Sequence, residues 1–170
     1  DFFSIYSVNM HHLGTPPHPL SFFVAVRDAF PGSVELLTIR LGDKPLAAML
    51  LVKFTKQLSD PWAASLREYA SLCPNMLMYW EALKYGCEHG FDEFDLGRSK
   101  VGSGPFRFKT QWGAEAVSLN YQIVTLEGGV KLAMRPPSSS AVMPFVSKLW
   151  RFVPLGLSIR LGPALRKHIV

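Results

Sequence analysis

Two apolar runs, Val34–Leu41 and Leu46–Phe54, are separated only by Gly42-Asp43-Lys44-Pro45, and they constrain this chain more than any other stretch. Each is bounded by turn formers, which predicts a β-hairpin. Their hydrophobicity is near-continuous rather than alternating. Strands of that kind are covered on both faces, so the sheet they begin needs helices above and below it. A third, weaker strand is expected around Gln57–Ala63.

The flanking segments supply those helices. Phe2, Tyr6, Met10 and Leu13 recur on one helical face that Gly14 can terminate, and Thr15-Pro16-Pro17 then forces an extended connection. Phe22, Phe23, Val26 and Phe30 mark a second helix, stopped by Pro31-Gly32. His11, His12 and His18 lie beside this Pro-rich stretch without a catalytic partner and are expected at the surface. Asn75 reads as an N-cap for a third helix, with Met76, Trp80, Leu83 and Cys87 as its core face and Gly90 behind it. Phe91–Leu96 is read as a strand, Pro105–Trp112 as a short helix or turn, and Ala116–Leu126 as a strand. Gly128-Gly129 turns the chain into Val130–Met134. The sequence therefore predicts an α/β chain of mixed (α+β) type. Arg135-Pro136-Pro137-Ser138-Ser139-Ser140 reads as a linker, followed by two short helices over Phe145–Val153 and Leu157–Ile169.

Charge divides the chain unevenly. Residues 1–144 hold 13 basic and 13 acidic side chains, whereas residues 145–170 hold Lys148, Arg151, Arg160, Arg166 and Lys167 and no acid. The whole net charge of +5 thus belongs to the C-terminal segment. A basic, apolar segment suits a membrane surface or another anionic partner. The competing expectation is that its helices dock on the domain and leave their charges solvated. Cys73 and Cys87 form neither a metal-ligand pattern nor a disulfide framework, which favours a reducing compartment, and no metal is expected. Asp1 opens directly on an amphipathic pattern with no basic and apolar leader, so the cytoplasm is the expected location, with peripheral contact at the inner membrane through 145–170.

Chemistry concentrates between Phe91 and Tyr121. Glycines at 97, 102, 104 and 113 punctuate a segment in which Arg98, Ser99, Lys100, Arg107 and Lys109 alternate with Phe106, Phe108 and Trp112. The FDLGRS and GSGPFRFKTQWGAE motifs there resemble the FDFGR and YRFKxQWGAE region of FemAB-related acyltransferases. The likeness is nearest to FemAB-like proteins associated with exosortase/PEP-CTERM exopolysaccharide systems. WAASLREY (62–69), PNMLMYW (74–80) and the WRFVPL and LGP ending fit the same group. The resemblance implies a GNAT-like acyl-CoA N-acyltransferase fold, with a mixed central sheet flanked by helices and its first strand missing. Relatives of this type carry two such units, and this chain is similar to the second. On this reading 1–134 is the GNAT-like acyltransferase domain, 135–144 a Pro/Ser-rich linker and 145–170 a pair of basic amphipathic helices.

The resemblance further implies an N-acyl or aminoacyl transferase acting on a cell-envelope or exopolysaccharide precursor, using an activated acyl donor (aminoacyl-tRNA or acyl-CoA). The alternative is a non-catalytic GNAT-like scaffold that binds glycan or membrane during polymer assembly. Lys109, after Phe108, takes the place of the lysine that steadies the acyl donor or developing oxyanion in such enzymes; a surface lysine is the plainer reading. Arg98 follows the strand end where open α/β sheets tend to bind ligands, and its fork suits a phosphate or carboxylate. An ion pair with Asp95 or Glu93 would occupy it equally well. Asp95 serves as a general base if buried, and otherwise caps a loop. Ser99, Ser65, Trp62, Tyr79 and Trp112 complete the expected substrate-binding set, with Trp62 in a loop after Pro61. CoA-dependent GNAT enzymes carry a glycine-rich pyrophosphate loop before the third helix. Here Leu72-Cys73-Pro74-Asn75-Met76 has no glycine, and Pro74 removes an amide donor, which argues against CoA.

Overall fold

In a computed structural model the chain is described over residues 1–124, 130–133 and 143–166. The apolar runs form β1 (Val34–Leu41) and β2 (Lys44–Phe54), which pair antiparallel. Leu41 faces Lys44, so the turn is the dipeptide Gly42-Asp43, shorter than expected, with Gly42 at φ +57°. β3 (Gln57–Ser65) pairs antiparallel with β2, and β4 (Glu93–Asp95) pairs parallel with β3, in the order β1-β2-β3-β4. A separate hairpin joins β5 (Tyr121–Val124) and β6 (Val130–Ala133). The strand expected from Ala116 begins only at Tyr121. The Gly128-Gly129 turn and the 135–140 linker lie outside the described residues.

Coverage of both faces is realised at β2. Ala47, Met49 and Leu51 pack with Met78, Tyr79 and Ala82 of α3 (Pro74–Glu88) on one side. Ala48 and Leu50 pack with Phe2, Ile5 and Tyr6 of α1 (Phe2–Leu13) and Phe23 of α2 (Leu20–Ala29) on the other. A fully buried aliphatic or aromatic side chain contributes about 1.5–3 kcal/mol, so this central strand anchors both cores. β1 is an edge, and its Leu36 and Leu41 are exposed.

The third helix departs from the expected phase. Its buried residues are Pro74, Met78, Tyr79, Ala82 and Gly86, while Trp80 is 57% exposed and Met76 and Cys87 are exposed. Ala82 and Gly86 let the helix approach the sheet closely: a Cβ on Gly86 would lie 3.6 Å from Leu58. Cys73, not Asn75, occupies the N-cap position, with Pro74 as the first helical residue, where its missing N–H costs nothing.

β3 carries a bulge. Val52 faces Ser59 and Leu50 faces Trp62, so Asp60 and Pro61 together oppose Leu51. Pro61 cannot donate to a ladder, and a bulge is where a strand tolerates it. The extra residue switches the sides on which the strand's residues fall. Leu58 before it and Ala63 after it both pack toward α3, whereas Trp62 and Ala64 pack toward α2 and α1.

Two further helices, α5 (Met143–Trp150) and α6 (Leu155–Arg166), begin two residues before the expected positions. They dock on α1 and the loop after it. Trp150, Ser158 and Gly162 are buried, His11 Nε2 lies 2.7 Å from the Val153 carbonyl, and Arg166 donates to the Pro16 carbonyl at 3.4 Å. His11, expected at the surface, is half-buried by this contact. Gly14, in the left-handed region at φ +72°, closes α1, and any Cβ there would collide with the Ser147 carbonyl.

Candidate functional site

The site begins where two parallel strands part company. β4 runs beside β3 only from Gln57/Glu93 to Ser59/Asp95, and β3 continues from Asp60 to Ser65 without that neighbour. The short helix α4 (Gly104–Gln111) lies over the cleft that opens there. Ser103 caps α4, its hydroxyl accepting from the Phe106 amide at 3.3 Å, and Pro105 stands in the first turn. Phe108 and Trp112 pack on the α3 side of the core. Phe108 meets Tyr79 edge-on at 5.0 Å between ring centres, and Trp112 stacks on Tyr79 at 6.5 Å.

The cleft holds about 420 Å³. Its walls are Ala63, Ala64 and Ser65 of β3, Asn75 and Tyr79 of α3, Gly104, Pro105, Phe108 and Lys109 of α4, and Asn9 and Leu13 of α1. Among the sequence candidates, the structure thus brings Lys109, Phe108, Tyr79 and Ser65 together. Lys109 Nζ donates to the carbonyls of Gly97 (3.0 Å) and Arg98 (3.2 Å). An ammonium has three protons, so one donor remains for the cleft.

The other candidates sit elsewhere. Asp95 is exposed, and its Oδ1 accepts from the Gly97 amide at 2.7 Å; it caps the turn, and the burial a general base would need is absent. Arg98 is exposed, and among the described residues it has no ion pair with Asp95 or Glu93; Glu93 instead accepts from Gln57. The Ser99 hydroxyl and the Trp112 indole N–H are buried with no partner among the described residues. Trp62 is not in a loop. It lies within β3 and packs edge-on against Phe22 (5.5 Å) and Phe23 (5.4 Å), on the face of the sheet away from Lys109.

Sequence reasoning missed Asp60. It stands in the bulge, one residue past the last β3–β4 pair, and is only 8% exposed. Tyr79 donates to its Oδ2 at 2.6 Å, and its Oδ1 has no partner among the described residues. Burial pushes the Asp60 carboxyl up to about 6, against the opposing pull of the Tyr79 hydrogen bond and the Lys109 charge. Burial first, then the Asp60 charge, raises the Tyr79 phenol well above its ordinary value, so it stays protonated. The Asp-Pro pair after an alternating strand was the available signal, because a proline inside a strand marks a bulge.

Residues 2–110, which span α1 through α4, match the acetyltransferase (GNAT) domain family. This chain belongs to that GNAT family. Its sheet flanked by helices is the GNAT-like α/β fold. The fold is shared with a solved structure, a transcriptional regulator from Bacillus halodurans C-125, at a TM-score of 0.51 and 15% identity over 62% of this chain and 75% of that one. No curated protein matches the chain. Membership of the family places the GNAT domain among acyltransferases in general terms.

The start of α3 in the GNAT domain presents few free amides. Pro74 offers no N–H, the Met76 amide is turned back onto the Cys73 carbonyl at 3.0 Å, and Cys73 itself sits at φ +51°, where glycine is usual. A pyrophosphate cradle needs several amides free at such a helix start. Among the described residues no three His, Cys, Asp or Glu side chains group as metal ligands, and no helix is long and apolar enough to cross a membrane.

Proposed function

We propose that the domain is an N-acyl or aminoacyl transferase of FemAB type, acting on an amine in a cell-envelope or exopolysaccharide precursor. The observation that carries this reading is the convergence, at the parting of β3 and β4, of a cleft-facing Lys109 with the buried Tyr79–Asp60 pair. The amine nitrogen attacks the activated acyl carbon, whose carbonyl oxygen takes up negative charge. The remaining N–H of Lys109 meets that oxyanion, a cation held in place by the Gly97 and Arg98 carbonyls. As the C–N bond forms, the nitrogen's proton passes to Tyr79 Oη while the Tyr79 proton passes to Asp60 Oδ2. Collapse of the intermediate expels the donor's carrier, which leaves with its bonding electrons. Tyr79 is the described residue that both lines the cleft and bonds Asp60, which is why the relay is assigned to it. The poor fit of α3 to a pyrophosphate favours an aminoacyl ester donor, aminoacyl-tRNA being the precedent among FemAB-related proteins.

Acyl incorporation into an amine-bearing glycan or peptidoglycan-type precursor tests this reading, with aminoacyl-tRNA and acyl-CoA offered separately. Turnover with the former, reduced about a hundredfold by Tyr79→Phe, is the expected result. Turnover that Tyr79→Phe leaves unchanged would remove the relay, and the absence of any product from either donor would leave a binding scaffold as the better account.

A further inference from the structure

The docked C-terminal helices bury one face and turn a second outward. Trp150, Ser158 and Gly162 are held against the molecule, the last so closely that a Cβ would stand 2.6 Å from Pro17. On the outer side, Leu157, Leu161 and Leu165 recur every four residues and form one stripe along α6, each 44–52% exposed. Phe152, at the joint between the two helices, is 84% exposed. Exposed Lys148, Arg151 and Arg160 stand among them, and residues 145–166 contain no acid. Docking on α1 therefore consumes only part of the apolar surface and leaves the cations outside.

We propose that this outer face of α5 and α6 seats on an anionic lipid surface. The two features needed are both present on it: apolar side chains to enter the acyl boundary, and cations to meet the headgroups. Charge selects the partner. Residues 1–144 sum to zero, so the net +5 is that of the segment bearing this face, and a second copy would set like charges against each other. RNA would engage the cations but gives no role to a leucine stripe and an exposed phenylalanine. The inference is independent of the chemistry in the cleft. α1 supplies Asn9 and Leu13 to the cleft and also carries the docked helices, so the bound domain would hold its site beside the membrane.

Flotation of the full chain with phosphatidylcholine vesicles, plain or containing roughly one part in three of phosphatidylglycerol, tests the proposal. Expected is partition to the anionic vesicles alone, weakened by salt. Arg151→Gln with Arg160→Gln should weaken it roughly fivefold per cation removed, and Leu157→Ser with Leu161→Ser should abolish it. Both pairs are exposed, so circular dichroism and melting should be unaltered. No partition by the full chain overturns the proposal. So does binding that survives the serine pair, concentration-dependent dimerisation lost in the serine pair without any vesicle binding, or tight binding to a single-stranded RNA without any vesicle binding.

Discussion

In the proposed mechanism Lys109 acts as a fixed cation at the cleft, and Asp60 as a buried acid behind Tyr79. Because two Lys109 donors already hold the Gly97 and Arg98 carbonyls, Lys109→Ala should loosen that turn but leave the core packing intact. Loss of an oxyanion donor costs about 3–4 kcal/mol of barrier, so a rate lower by roughly 10²–10³ with little change in melting temperature is expected. Unchanged turnover in a steady-state assay would take Lys109 out of the chemistry. For Asp60 the sign follows from its value of about 6 against the ordinary 3.8. Between these the native state holds more protons than the unfolded chain, so its contribution is full below about pH 4 and is lost as the pH rises through about 6, by up to about 3 kcal/mol. Asp60→Asn has no charge to bury. Its melting temperature relative to the parent should therefore rise from pH 4 to 7 and then level, whereas a flat difference would contradict the burial of an ionisable group there.

Among the elements, α3 shows best how a helix can be legible while its face is not. Its position near Asn75 to Gly90 could be read from the flanking residues, yet a ranking by hydrophobicity chose Met76, Trp80, Leu83 and Cys87. Close approach to a sheet instead selects small residues, so Ala82 and Gly86 face inward with Met78 and Tyr79, and Trp80 stays outside. Trp80→Ala should accordingly change stability by less than about 0.5 kcal/mol, while Met78→Ala should cost about 2–5 kcal/mol in urea denaturation. The reverse order would restore the first phase. α6 invites an equally direct test. Gly162→Leu must push Pro17 aside, and we expect faster proteolysis within 143–166 with the α3 core unaffected. Equal cleavage rates would show that this contact does not hold the helix.

At the scale of the whole molecule, the hairpin and the helical coverage could be read from apolar runs and turn residues, because burial on two faces demands them, while the GNAT-like fold came from the family resemblance. The site was half legible. Lys109 and Phe108 were marked by motif, and Tyr79 and Ser65 by the segments that contain them. Asp60 and the true place of Trp62 were not, since both depend on the offset with which β3 folds back on β2, which residue types alone do not fix. Of the tail's two expectations, the structure shows docking, with Lys148, Arg151 and Arg160 left exposed, and contact with a membrane is the proposal made above. If docking contributes to folding, a chain ending at Ser140 should melt lower, by about 2–4 °C for each kcal/mol lost; an unchanged transition would mean that Trp150 is buried without stabilising the rest. The bulge at Asp60-Pro61 has a last consequence for what this sequence can tolerate. It takes up one residue without changing faces: with Pro61 removed, Asp60 alone would oppose Leu51 and Trp62 would still oppose Leu50, so residues 62–65 would keep their sides. The indole of Trp62 would stay with Phe22 and Phe23 beside Leu50, and Ala63 would stay beside Met49 on the α3 side. A one-residue deletion there would spare both cores and alter instead the local bend at Asp60, and with it the approach of its carboxylate to Tyr79.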